Sequence, residues 1–207
     1  MRIISIILCI CTQFACERAQ RELVELQSFE TVALITQGDI VEMTETGRWL
    51  HLELSPSSDR EIARLRRLDD QTELTLLVAG HASGPVRLRD LLDGYEMRLP
   101  RNDWAGDNLA IPLNRLRAVT ASEGRVLVEI GVASPVAEFS EAEIRRVSPD
   151  EGQATFDLNS TVQTNEELLL TAGGLVLARG ASLTLEGDQL YASGIRRDVL
   201  ERWAEAG

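Results

Sequence analysis

Two histidines and one serine are the residues of this chain with the plainest potential for chemistry. His51 and His81 are the only histidines, and Ser83 follows His81 closely. An imidazole can act as a general base or bind a metal ion, and a serine hydroxyl becomes a nucleophile when a base lies within hydrogen-bond reach. A small extracytoplasmic hydrolase that uses His51, His81 and nearby acids is therefore one hypothesis.

The catalytic hypothesis lacks most of its usual partners. A zinc site needs three or four ligands, and here carboxylates such as Glu53 would have to complete the set. Ser83 is not part of a Gly-x-Ser-x-Gly elbow, and a phosphate-binding loop that ends in Gly-Lys is excluded because the chain contains no lysine. The preferred prediction is that the protein is not an enzyme, with no catalytic residue, metal or cofactor.

The charge balance excludes another class of function. The chain has 33 acidic and 21 basic residues, and its net charge is −12. Nucleic-acid binding requires a basic surface that neutralises phosphates. We therefore expect no nucleic-acid partner. In so acidic a chain, neighbouring carboxylates such as Asp69-Asp70 and Glu166-Glu167 are expected at the surface, and they single out no acid–base pair.

The first residues have the layout of a secretory signal. Arg2 precedes an apolar run over residues 3–10 that is too short to span a bilayer. Residues 1–15 are therefore predicted to be a signal peptide, and the mature protein is expected outside the cytoplasm.

Cys16 is the predicted site of lipid attachment. The stretch Gln13-Phe14-Ala15-Cys16 resembles the lipobox of bacterial lipoproteins, and the other cysteines, Cys9 and Cys11, lie within the signal. Since no cysteine follows Cys16, it has no later disulfide partner. We expect a lipid anchor on the periplasmic side of the envelope, followed by a tether over residues 16–30. The alternative is ordinary cleavage that releases a soluble, secreted protein.

The best-marked local unit is a strand, a helix and a second strand. Trp49–Leu54 alternates, with its leucines on one face. Ser58 followed by Glu61 has the spacing of a capping box, and apolar residues then recur at helical spacing over residues 58–69. Glu73–Val78 is the second strand, and it runs into a turn over residues 79–85 that contains two glycines and a proline.

The remaining sequence is predicted to be rich in strands, above all in its second half. A composition shift over residues 120–124 favours two domains, 31–120 and 121–207, and a weak likeness of residues 34–40 to 162–168 suggests a diverged repeat. Strands are predicted at 30–35, 95–99, 125–132, 154–158, 168–171, 175–178 and 182–185, and helical segments at 38–43, 86–92 and Arg197–Ala206.

A family resemblance appears in the first half. Thr36-Gln37-Gly38-Asp39-Ile40, the strand through Leu54-Ser55-Pro56, the helix and the turn Ser83-Gly84-Pro85-Val86 occur in the order found in the periplasmic head region of SecD, the bacterial protein-export subunit. The resemblance covers residues 31–94, and more weakly 125–168. The Asp-x-x-Gly-Gly signature and the membrane helices of that family have no counterpart here, so a SecD motor is excluded.

The resemblance implies an α+β fold with ferredoxin-like units and a mostly antiparallel sheet, displayed outside the cytoplasmic membrane. It also implies a stand-alone domain that binds protein or peptide partners in the envelope. The alternatives to this binding function are the small hydrolase described above and a purely structural envelope protein.

Overall fold

The computed structural model describes residues 23–100, 126–159, 162 and 164–206. This part is α+β and mostly antiparallel, and its second half is β-rich, which confirms the predicted class. The strands are β1 Val24–Thr36, β2 Ile40–Thr46, β3 Trp49–Leu54, β4 Glu73–Val78, β5 His81–Ala82, β6 Val86–Arg87, β7 Leu92–Asp93, β8 Glu96–Pro100, β9 Val126–Phe139, β10 Ile144–Ser148, β11 Gln153–Asp157, β12 Glu167–Ala172, β13 Leu175–Arg179, β14 Leu183–Glu186 and β15 Gln189–Ser193. The helices are α1 Asp59–Leu65, α2 Leu88–Leu91 and α3 Arg197–Ala206.

Six strands form a closed antiparallel ring. The order is β5-β13-β12-β1-β9-β4, and β4 pairs back with β5. One apolar side chain from each strand meets in a common cluster, so this cluster fills the inside of the ring: Phe29, Leu77, Ala82, Ala133, Leu169 and Val176.

Two four-stranded sheets flank the ring, with the orders β2-β3-β8-β7 and β10-β11-β15-β14. We call them the first and the second flanking sheet. Each covers a separate apolar core: one contains Leu50, Leu52 and Ile62, and the other contains Phe156 and Leu190. Ring strands contribute side chains to both cores, for example Ile35 and Leu76 to one and Leu26 and Leu170 to the other, so the ring lies between the two cores.

The two halves repeat the same backbone pattern. The backbone N–H and hydroxyl of Thr36 donate to the Asp39 carboxylate at 2.8 and 2.6 Å, and those of Ser140 donate to the Glu143 carboxylate at 2.6 and 2.5 Å. Both motifs follow a long strand and lead into an edge strand, β2 or β10, whose first residue is isoleucine. The structure thus matches residues 36–40 with 140–144, and the predicted match of 34–40 with 162–168 is wrong.

Strand register shows that the halves are related by a pseudo-twofold axis. In the β1–β9 pair, Phe29 faces Ala133, and the flanking pairs mirror each other about this point. On the far side of the ring, Leu175 faces His81, where the two equivalent hairpins meet. The mirrored pairs are Glu30↔Val132 with Ser28↔Ser134, Val24↔Phe139 with Ile35↔Val128, and Val78↔His81 with Ala172↔Leu175.

Several local predictions are confirmed. Trp49–Leu54, Glu73–Val78 and Arg197–Ala206 have the predicted type and bounds. The buried leucines of β3 lie on its inner face, and Gly173 and Gly174 form a tight turn with positive φ values of 53° and 74°. The sequence pattern of each of these elements lies within a few neighbouring residues, so its secondary structure could be predicted without knowledge of tertiary contacts.

Three local predictions are wrong. Residues 24–30, predicted as part of a tether, are the first half of β1, because they pair with β12 and β9. Residues 38–43 do not open a helix: a 3-10 turn at Gln37–Asp39 leads straight into β2. Ser58 and Glu61 form no capping box. The Ser58 hydroxyl donates to Ser55 O, and the Glu61 carboxylate accepts from Leu34 N.

The helix after Ser58 is also shorter than predicted. It ends at Leu65, and Leu68 packs against the first core from a turn.

In a ferredoxin-like unit the strands on either side of the first helix share one sheet, whereas here β3 lies in the first flanking sheet and β4 in the ring. The boundary predicted at residues 120–124 lies outside the described residues, so the division into two domains stays a prediction.

Ala79 is the one residue other than glycine with a positive φ among the described residues, at 52°. It occupies the turn position that Gly173 holds in the second half. An L-residue there costs about 1–2 kcal/mol, whereas glycine at the same place costs about 0.4–1 kcal/mol through greater freedom of the unfolded chain. Ala79→Gly is therefore expected to leave the free energy of unfolding unchanged or to raise it by about 0.5 kcal/mol, measured by chemical denaturation.

Ala82→Gly is the matched control, since Ala82 is buried and lies outside the positive-φ region. It should destabilise the protein by about 1 kcal/mol. A loss of that size in Ala79→Gly would show that the turn does not hold residue 79 in the left-handed conformation.

Candidate functional site

The outer face of the first flanking sheet brings polar side chains from four strands together around one surface cavity. Strand alternation in β3 buries Leu50 and Leu52 on the core side and turns His51 and Glu53 outward. Together with β2, β7 and β8 this face forms an open surface cavity of about 410 Å³. It is lined by Glu42, Thr44, Thr46, His51, Glu53, Asp93, Tyr95 and Glu96.

Three glutamates lie side by side across this cavity. Glu42 on β2 faces Glu53 on β3, and Glu53 faces Glu96 on β8. Like charges directly opposite each other on one sheet face are destabilising. Such a row is an unfavourable local choice, and unfavourable choices of this kind are expected at functional sites.

Glu96 anchors a short polar network at one end of the row. Its Oε1 lies 2.6 Å from His51 Nδ1 and accepts a hydrogen bond from Arg98 Nε at 2.8 Å. Arg98 also donates to Asp93 at 3.1 Å. The hydrogen bond from Arg98, followed by the contact with His51, holds the pKa of Glu96 below its usual value. The network keeps Glu96 ionised, and Nδ1 of His51 is used in the contact with Glu96.

Tyr95 ties the cavity rim to α1. Its hydroxyl donates a hydrogen bond to Asp59 at the start of the helix. This bond, more than burial, raises the pKa of Tyr95 above its usual value. The rim is thus held by a contact between the turn that joins β7 to β8 and the first residue of α1.

The second half provides an internal comparison for these acids. Its equivalent row, with the same cross-strand register, consists of Arg146, Thr155 and Tyr191. The position of His51 corresponds to Gln153, because these residues pair with Thr44 and Ser148 at matched places. The same backbone therefore forms without any of the three glutamates, so the fold does not require them.

The strand β2 borders the cavity and forms an edge of its sheet. Within the described ranges it pairs with β3 alone. A register shift lies at Val41, a residue that is 64% exposed. Backbone groups on the outer side of such an edge are available to an added strand.

The two predicted histidines do not form one site. His51 lies on β3, which pairs with β2 and β8, whereas His81 lies on β5, which pairs with β4 and β13. The hydroxyl of Ser83 accepts from Leu76 N at 3.0 Å and donates to Gly84 O at 2.7 Å, so it is engaged in the chain turn. Among the described residues, no group of three His, Cys, Asp or Glu side chains could hold a metal ion.

A second polar cluster lies among the ring strands. Arg179 donates to both oxygens of Glu129, at 2.7 and 3.1 Å, and to both oxygens of Glu167, at 2.9 and 2.8 Å. Thr31 adds a hydrogen bond to Glu129 at 2.6 Å. Burial acts to raise the pKa of Glu129, but the hydrogen bonds from Arg179 and Thr31 outweigh it, and the pKa lies below its usual value. With every carboxylate engaged, the cluster is structural.

Sequence reasoning missed Glu42, Glu96 and Tyr95 as members of a site. The available signal was that acids occupy the outward positions of the strands that flank His51. The sequence alone does not show that these acids are neighbours, because that depends on the register of β2, β3 and β8.

The predicted lipidation site, Cys16, lies outside the described residues. Within those residues no helix has the length and apolar character that crossing a membrane requires. Comparison of the chain with protein-family models, with curated proteins and with solved structures finds no match.

Proposed function

We propose that this protein is a non-catalytic, lipid-anchored module of the bacterial cell envelope that binds an extended segment of a partner protein. The segment adds as a strand to the outer edge of β2, which pairs with β3 alone among the described residues, and lies next to the acidic face of the first flanking sheet. Main-chain hydrogen bonds supply affinity in this mode, and neighbouring side chains supply selectivity.

The observation that carries the proposal is the combination of an exposed seven-residue edge strand with a row of glutamates that the repeated fold does not need. The SecD resemblance of residues 31–94 favours an envelope protein that handles other chains. The polar network around Glu96 and the separate positions of the two histidines favour binding over catalysis.

Photocrosslinking at the edge tests this function. A photoreactive residue in place of Val41 is expected to crosslink, in intact cells, to one defined segment of a partner chain, which is either a different protein or a second copy of this one, and mass spectrometry identifies it. The same residue in place of Tyr191, an exposed position on an inner strand of the second flanking sheet, is the control and should not capture that segment. Equal capture at both positions, or none at Val41, would contradict the proposal.

The acidic row provides the second arm of this test. Combining Glu42→Gln with Glu53→Gln, and keeping Glu96 because it is bound to Arg98 and His51, should reduce the Val41 crosslink while leaving the thermal unfolding temperature unchanged or raised, because mutual repulsion is removed. An unchanged crosslink would show that the acids play no part in binding.

Mass spectrometry of the mature amino terminus tests the proposed location. A diacylglyceryl group on Cys16 is expected. An unmodified terminus elsewhere would favour the secreted, soluble form.

A further inference from the structure

The two edge strands β2 and β10 are equivalent under the pseudo-twofold relation but differ in charge. Each begins with isoleucine, carries a register shift at its second residue and then pairs regularly with the next strand. After the shift β2 has Glu42, whereas β10 has Arg146 at the same place. Within the described residues β10, like β2, has a neighbour on one side alone.

Both of these charges are available for an external partner. Glu42 and Arg146 form no hydrogen bond or ion pair with other side chains in the part of the chain that the structure describes, and both are exposed. Arg145 differs, since it is paired with Asp157 of its own sheet. One edge therefore presents a free carboxylate, and the equivalent edge presents a free guanidinium.

We propose that the strand added to β2 is β10 of a second copy of this chain, so that copies associate head to tail. This inference rests on the proposed function, because it uses the same strand addition at β2, and it names the partner. It also explains why the equivalent positions have opposite signs.

The register of such a pair is compatible with the side-chain pattern. An antiparallel pair that sets Met43 opposite Val147 keeps both residues on the core sides of their sheets, where each already packs. Glu42 and Arg146 then lie diagonally across the junction on the outer face. Diagonal neighbours are about 7–8 Å apart at the backbone, which long side chains can bridge.

The competing symmetric contacts are disfavoured by the same charges. Pairing β2 with β2 would bring two Glu42 side chains together, and pairing β10 with β10 would do the same with Arg146. The β2–β10 contact joins different surfaces, so it leaves one free edge of each kind on every dimer. Such a heterologous contact continues into rings or open chains.

Sedimentation velocity of the purified protein over a wide concentration range tests this proposal. The weight-average mass should rise with concentration at moderate ionic strength, where salt screens the repulsion between chains that each carry a net charge of −12. Glu42→Arg and Arg146→Glu should each weaken association by about tenfold or more, which corresponds to about 1.4 kcal/mol. Charge-matched changes elsewhere on the surface, Glu205→Arg and Arg60→Glu, should have no such effect.

Two combinations of these variants restore opposite charges at the junction and make the test specific. The double variant Glu42→Arg with Arg146→Glu exchanges the signs and should associate as the native chain does. A mixture of the two single variants should associate although each alone does not, since one has two basic edges and the other two acidic edges.

A native chain that stays monomeric at all concentrations, or a double variant as weak as the singles, would overturn the inference. If Val41 then still crosslinks to a different protein, the proposed function stands without self-association. If Val41 captures nothing, both fail.

Discussion

Gly131→Ala is expected to destabilise the protein by about 3 kcal/mol, at the upper end of the usual cost of overpacking. A Cβ atom at this position would lie 2.5 Å from Cζ of Phe29 and 2.6 Å from the backbone oxygen of Glu30. The phenyl ring is fully enclosed at the centre of the closed ring of strands, and the carbonyl belongs to β1. Neither can move without disturbing the pseudo-twofold centre, so chemical denaturation should show a large loss of unfolding free energy.

Gly38→Ala is the matched control for this change. The nearest atom to a Cβ at Gly38 is Thr36 Oγ1 at 3.9 Å, which is ordinary contact. This variant should stay within about 0.5 kcal/mol of the native protein, as surface changes usually do. The clash itself is isolated by Phe29→Leu, which should cost less in the Gly131→Ala background than alone. Additive effects would mean that residues 29 and 131 are not coupled as the structure requires.

Arg179→Met is the second change with a large expected effect, about 2 kcal/mol at neutral pH. Removing one partner of a buried ion pair typically costs about 3–5 kcal/mol, because the other charge stays buried and unpaired. The Glu129 side chain is only 14% exposed, but Arg179 is 37% exposed, so solvent reduces the cost. Arg98→Met, at an exposed ion pair, should cost less than about 1 kcal/mol and serves as the control.

The pH dependence of this effect has a defined sign. In the native protein the pKa of Glu129 lies below its ordinary value of 4.5, so its contribution to stability is present above that value and is lost as the pH falls through the folded-state pKa. Without Arg179, burial raises the pKa of Glu129. Protonation of Glu129 at low pH then removes the buried, unpaired charge from the variant. The gap in unfolding free energy between the two proteins should shrink when the pH is lowered from about 7 to about 3. A gap that stays constant or grows would show that Glu129 is not the group responsible.

The secondary structure could be predicted best where the signal is local. Alternation in β3 and β4, the paired glycines at 173–174 and the helical spacing after Arg197 each lie within a few residues of one another. The first half of β1 was missed because its residues read as polar and become a strand only through pairing with β9 and β12, which lie more than a hundred residues away.

The candidate site shows the same division. Its histidine and the outward direction of Glu53 follow from alternation in one strand. The row with Glu42 and Glu96 depends on the registers of two pairings, and the β3–β8 pairing joins strands that are separated in the chain by two helices and two strands of the ring. The charges of individual residues therefore indicated an acidic surface without indicating where the acids converge.

By itself, the sequence determined the α+β class, the apolar faces of several strands, the C-terminal helix and the excess of acid. Tertiary structure alone decided that the strands close into a ring, that the halves are related by a pseudo-twofold axis, and that His51 and His81 lie in different sheets. The physical reason is that alternation and turn chemistry are properties of neighbouring residues. Strand pairing instead joins distant residues, and its register is chosen by the packing of whole faces against a common core.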